Sequence, residues 1–129
     1  MKDLLLVFLG GGAGAGCRWL ISRASARFLG DHFPWGTHIV NLVGCFCIGL
    51  ALGLAERGLG GRRLKPLGVA GFLGGLTTFS TFAYETIDFI RRGLYLRAAA
   101  NFGLDAIGGL GLAGLGLAIG LYLGGRTAA

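Results

Sequence analysis

Four long apolar segments govern what this chain can fold into. They fall at about residues 4–22, 36–55, 67–90 and 98–123, with short polar connections between them. Each is close to the roughly 20 residues a helix needs to cross the hydrocarbon core of a bilayer. Hydrophobic residues make up 53% of the 129, and the mean hydropathy is +0.69. A soluble domain of this size cannot bury that much apolar surface. In lipid every backbone polar group must be satisfied internally, so segments this long are predicted to be helices. The chain reads as one all-α membrane domain, residues 1–129, with four transmembrane helices. Short connections make neighbouring spans antiparallel. The N-terminal apolar run passes into helix-compatible small residues, and it is read as a retained first span, not a cleaved leader. Pro34 and Trp35 mark an interfacial start for the second span, with the indole at headgroup level.

Glycine is the commonest residue, 27 of 129. In a soluble helix that is destabilising, but between membrane helices small residues let backbones approach closely. The run GGGAGAG in the first span is not a dinucleotide loop, because it follows no strand and opens no βαβ unit. Cys17, Cys45 and Cys47 all lie in apolar segments, odd in number and without metal spacing, so they are expected to pack as small apolar side chains. No pair of titratable residues stands at a catalytic spacing, so an enzyme is not expected. The net charge of +6 is spread over every connection, which excludes a nucleic-acid stripe.

The distribution of those charges bears on orientation. One side of a four-span topology carries Lys2, Arg57, Arg62, Arg63, Lys65 and Arg126. The other carries Arg23, Arg27, Arg91, Arg92 and Arg97, with Arg18 as a sixth. The positive-inside rule needs an imbalance to choose an orientation, and here there is almost none. The chain is therefore expected to insert both ways up. Two oppositely oriented copies can pair about an axis in the membrane plane, the arrangement other transporters reach through inverted repeats.

Polar side chains at membrane depth are costly and are functional candidates. The third span holds GFLGGLTTFSTF, residues 71–82. Adjacent glycines followed by β-branched threonines lower helix propensity over one turn, which predicts a break near Gly74–Phe79. A break frees carbonyls that need a partner in protein, water or an ion. Where two copies meet antiparallel at this point, carbonyls from both form a cage for a cation such as Na⁺. Phe79 and Phe82 share a helix face, with Ser80 and Thr81 beside them. The alternative is that the rings only pack and the hydroxyls bond back to i−4 carbonyls. In the second span Asn41 lies one turn after Thr37, and its amide offers two donors. Amide donors, hydroxyls and positive ring edges together favour an anion.

These residues resemble the Fluc/CrcB fluoride channels. The resemblance rests on GGAGAGCR (residues 11–18), GTHIVNLVGCF (residues 36–46) and GGLTTFSTF, and extends over almost the whole chain. It implies an antiparallel, dual-topology homodimer with two pores in the inner (plasma) membrane of the cell. Asn41 would donate to F⁻, Phe79 and Phe82 would meet it with ring edges, and Ser80 and Thr81 would add hydroxyls. Gly74 and Thr77 would hold a structural Na⁺ on their carbonyls, paired with their copies. Arg18 would draw anions toward a vestibule. The activity implied is passive export of fluoride, which enters as HF, dissociates and is otherwise trapped.

Two positions depart from that pattern. Asp105 stands where a serine is usual on the pore-side polar track, and a carboxylate there repels an anion unless protonated, paired or turned away. Asn101, one turn earlier, is placed to hydrogen-bond it, and a seat at the dimer seam is the other reading. His38 stands where an apolar residue is usual, and it is read as a packing histidine that is also a candidate titrating group. Glu85 pairs with a basic residue or lines a vestibule. The rival function is a dual-topology, proton-coupled small multidrug exporter. That class needs a membrane-embedded acid in its first span, where this chain has Arg18 and no acid after Asp3.

Overall fold

The computed structural model describes residues 1–59, 61 and 64–127. Arg62, Arg63 and the side chain of Arg126, all counted in the charge balance, lie outside what is described. Among the described residues the chain is all helical, and four helices are long and apolar enough to cross a membrane. Helix α1 spans Lys2–Leu29 and α2 spans Trp35–Glu56. Helix α3 is π-wound over Leu64–Leu73 and continues in α form over Gly74–Leu76. Helix α4 spans Phe79–Arg91. Helix α5 runs from Tyr95–Phe102 through a π-wound stretch, Gly103–Gly108, into Gly109–Thr127.

Helix α1 continues well past the end expected from hydropathy. Its last two turns carry Ser22, Arg23 and Arg27, which are compatible with a helix but not with a hydrocarbon core. Arg23 lies over the Trp19 ring, 4.9 Å from its centroid, so the charged end of the helix is supported by its own aromatic residue. Helix α3 begins inside the loop expected at 56–66. Pro66 is tolerated there because the first turn of a helix needs no N–H from it.

Close glycine contacts assemble the bundle. Gly10 and Gly14 of α1 face the backbone of α3 so tightly that an added Cβ would collide with the carbonyls of Leu67 and Phe72. Gly75 is pressed in the same way against the backbone of Gly11. Between α2 and α5 the contacts are reciprocal. Gly49 and Gly53 abut the carbonyls of Ala113 and Leu117, while Gly116 and Gly120 abut those of Phe46 and Leu50. This is small-residue packing of membrane helices, with backbones meeting directly. Buried large side chains are correspondingly few, and many bulky apolar residues face outward, Phe8, Phe28, Leu96 and Leu110 among them.

The connections are short. Gly93, at φ 71°, lets the Leu94 N–H return to the Phe89 carbonyl at 2.8 Å and closes α4. Arg97 then donates to the carbonyl of His32 at 3.0 Å, tying the α4–α5 connection to the α1–α2 connection. Both connections therefore lie at one end of the bundle, as alternating antiparallel helices require.

Candidate functional site

The site is built where α3 stops. Leu76 ends the helix, Thr77 and Thr78 are extended (φ −81°, ψ 158° and φ −151°, ψ 106°), and α4 begins at Phe79. Thr78 is the N-cap of α4, its hydroxyl accepting from the Thr81 N–H at 3.2 Å. The same hydroxyl lies 2.9 Å from Thr81 Oγ1 and 3.3 Å from Ser80 Oγ. Thr77 stays with α3, giving both its N–H and its hydroxyl to the Leu73 carbonyl at 3.0 Å.

Asn41 holds the extended pair. Its Oδ1 accepts from the Thr78 N–H at 2.7 Å, and its Nδ2 donates to the Thr78 carbonyl at 3.2 Å. The side-chain amide thus takes the place of a backbone partner. The Thr78 N–H, which would close another turn onto the Gly74 carbonyl, is given to Asn41 instead. The second hydrogen of Nδ2 goes to Asp105 Oδ2 at 2.8 Å. Both donors of Asn41 are therefore engaged within the protein in this arrangement.

Asp105 has a second partner. Its Oδ1 lies 2.8 Å from His38 Nδ1, and both side chains are buried, at 5% and 2% exposure. The hydrogen bond expected between Asn101 and Asp105 is not made. Asn101 donates to Thr86 Oγ1 at 2.8 Å and to the Phe82 carbonyl at 3.4 Å. The reason is the π-wound Gly103–Gly108, which adds to the turn and takes residues 101 and 105 out of the i, i+4 register of an α-helix. His38 is buried, at 2% exposure, and its polar partner is the carboxylate that sequence reading left open.

Phe79 and Phe82 come together with centroids 5.5 Å apart and planes at 57°. Phe82 is buried against Phe102, whereas Phe79 is 78% exposed in the single chain. Asn41, Phe79, Phe82, Thr77, Gly74 and Asp105 share the wall of one cavity of about 560 Å³. A second cavity, about 360 Å³, is lined by Thr37, Thr81, Tyr84 and Glu85 among others. Glu85 accepts from the Thr37 hydroxyl at 2.8 Å and makes no ion pair among the described residues. Ser80 and Thr81 are exposed. Arg18 is half-buried on α1 and lines neither cavity. The three cysteines are free and half-buried.

Thr78, one of the polar residues at membrane depth, and Phe102 complete the site; Phe102 was not singled out from sequence. The signal for Thr78 was its position: a threonine just before an amphipathic helix is an N-cap candidate.

A family model described as "CrcB-like protein, Camphor Resistance (CrcB)" matches residues 5–117. The chain belongs to the CrcB-like family. Proteins named fluoride-specific ion channel FluC are similar over most of its length. The one from Aeromonas salmonicida is 45% identical over 106 residues, 81% of this chain and 85% of the relative. One from Dehalococcoides mccartyi is 41% identical over 128 residues, 96% and 93% of the two chains. One from Bordetella bronchiseptica is 43% identical over 117 residues, 90% and 89%. With four helices fit to span a bilayer, this CrcB-like chain is a multi-pass membrane protein.

Proposed function

We propose that the protein is a fluoride-selective ion channel, not an enzyme, that exports F⁻ passively across the inner (plasma) membrane. The observation that carries this is the match to relatives named fluoride-specific ion channels over nearly the whole chain. The site supports it chemically. F⁻ is small and tightly hydrated, so a pore must replace water with close donors. Asn41 Nδ2, the hydroxyls of Ser80 and Thr81, and the edges of Phe79 and Phe82 are such groups. An arriving F⁻ takes the Nδ2 hydrogen now given to the Thr78 carbonyl, the longer of its two bonds. Asp105 is tied on both oxygens, to His38 and to Asn41.

The working unit in this reading is an antiparallel, dual-topology homodimer with two pores. The even split of basic residues supports it, and so does Phe79, a pore aromatic left 78% exposed by a single chain. Helices α3 and α4 act as one span broken at Thr77–Thr78. The carbonyls of Gly74 and Thr77, left without helical donors by the break, hold a structural Na⁺ together with their copies. Arg18 draws anions to the vestibule.

The test is ion efflux from liposomes holding the purified protein, F⁻ against Cl⁻, under one K⁺ gradient with valinomycin. Fast F⁻ efflux with little Cl⁻ efflux is expected. Absence of F⁻ efflux from folded dimers refutes the channel.

A further inference from the structure

The carboxylate of Asp105 stands on the wall of the cavity that also holds Asn41, Phe79 and Phe82. An unpaired carboxylate there opposes any anion, and at 5% exposure water screens it little. The group that answers it is on α2. His38 Nδ1 is 2.8 Å from Asp105 Oδ1. The imidazole is stacked on Phe33, with centroids 5.0 Å apart and planes at 27°, and meets Trp35 at 6.4 Å and 70°. The Phe33 face, alone of the two within about 6 Å, favours a cation there. The ring's other nitrogen, Nε2, is buried without a hydrogen-bond partner among the described residues. Asp105 is thus the polar group toward which the ring is turned.

The geometry points to His38 as the counter-charge of Asp105. The pair presents a neutralised carboxylate to the anion cavity, and its second oxygen holds the Asn41 amide in place. His38 and Asp105 are positioning residues: they act on F⁻ through the field they cancel and through Asn41. This rests on the channel reading above.

The experiment is a double-mutant cycle in F⁻ and Cl⁻ efflux from liposomes, using the full chain, H38Q, D105N and H38Q/D105N. Glutamine keeps a side-chain donor for Asp105 and removes the charge. H38Q is expected to slow F⁻ efflux at least tenfold (about 1.4 kcal/mol on the barrier) when Asp105 is present. In the D105N background it is expected to slow efflux less than twofold. Equal losses in both backgrounds, or unchanged efflux for H38Q, overturn the inference and leave the channel reading intact. No efflux from the wild-type protein overturns both. If H38Q alone fails to fold, rescue of folding by added D105N supports the pair, and failure of rescue overturns it.

Discussion

Replacing Asn41 with alanine removes three hydrogen bonds at one stroke. The Thr78 N–H, the Thr78 carbonyl and Asp105 Oδ2 each lose a partner. A buried neutral group left unpaired costs about 1–3 kcal/mol, and a charged one more. Thr78 is buried, at 8% exposure, and its two groups are set at about 1 kcal/mol each, the lower end of that range. Asp105 keeps His38 and loses one partner, which adds about 2 kcal/mol. The total is about 4 kcal/mol. For a chain of this length that corresponds to a drop in Tm of about 12 °C. Thermal unfolding in detergent, followed through Trp19 and Trp35, reads it directly, with F⁻ efflux measured on the same preparation. N41A is expected to lose both stability and flux. N41D should fall at least as far, because it sets a second carboxylate against Asp105. A Tm for N41A within about 3 °C of wild type would refute the idea that this amide holds the extended pair.

Three further outcomes are expected. Phe79→Ile combined with Phe82→Ile abolishes F⁻ efflux while the protein elutes as wild type does on size exclusion, since branched aliphatics fill space but offer no positive edge; retained flux rules out the aromatic path. Gly14→Val drives a side chain into the Phe72 carbonyl and leaves its Cβ only 2.8 Å from the Leu76 amide nitrogen, so overpacking by about 1–3 kcal/mol lowers Tm by at least several degrees; a variant as stable as wild type argues against the close α1–α3 approach. A C-terminal tag probed in whole cells reports from both sides of the membrane in comparable amounts; reporting from one side alone eliminates dual topology.

The four spans were legible because hydropathy over about 20 residues is a strong local signal. Their ends were less so. Helix α1 runs on to Leu29 because Ser22–Phe28 are good enough helix formers outside the hydrocarbon, where hydropathy is blind. The polar residues of the site were also legible as a set, since each is expensive at membrane depth. Their pairings were not. The expectation that Asn101 reaches Asp105 assumed α-helical spacing, and the π-wound Gly103–Gly108 removes that spacing without a sequence signature that local propensity could reveal. His38 and Asp105 are 67 positions apart, so only the fold brings them together.

Seen from α2, the placement of these residues has one logic. Thr37, His38 and Asn41 fall within a little more than one turn, and together they reach α4, α5 and the break between α3 and α4. Thr37 bonds Glu85 of α4, His38 bonds Asp105 of α5, and Asn41 bonds both Asp105 and the backbone between α3 and α4. Gly44, one turn further, is so close to the Thr77 methyl that any side chain there would strike it. One short polar strip therefore bonds the buried Asp105 carboxylate, the half-buried Glu85 and the extended Thr77–Thr78 at once. For an anion pathway this arrangement solves a specific difficulty. Two acids at membrane depth would make the interior hostile to F⁻, yet each is bound to a donor from α2. The same donors fix the backbone on which Phe79 and Phe82 are mounted. In the proposed path, electrostatics and geometry are thus set by the same helix turn, and a substitution on that turn is expected to disturb both together.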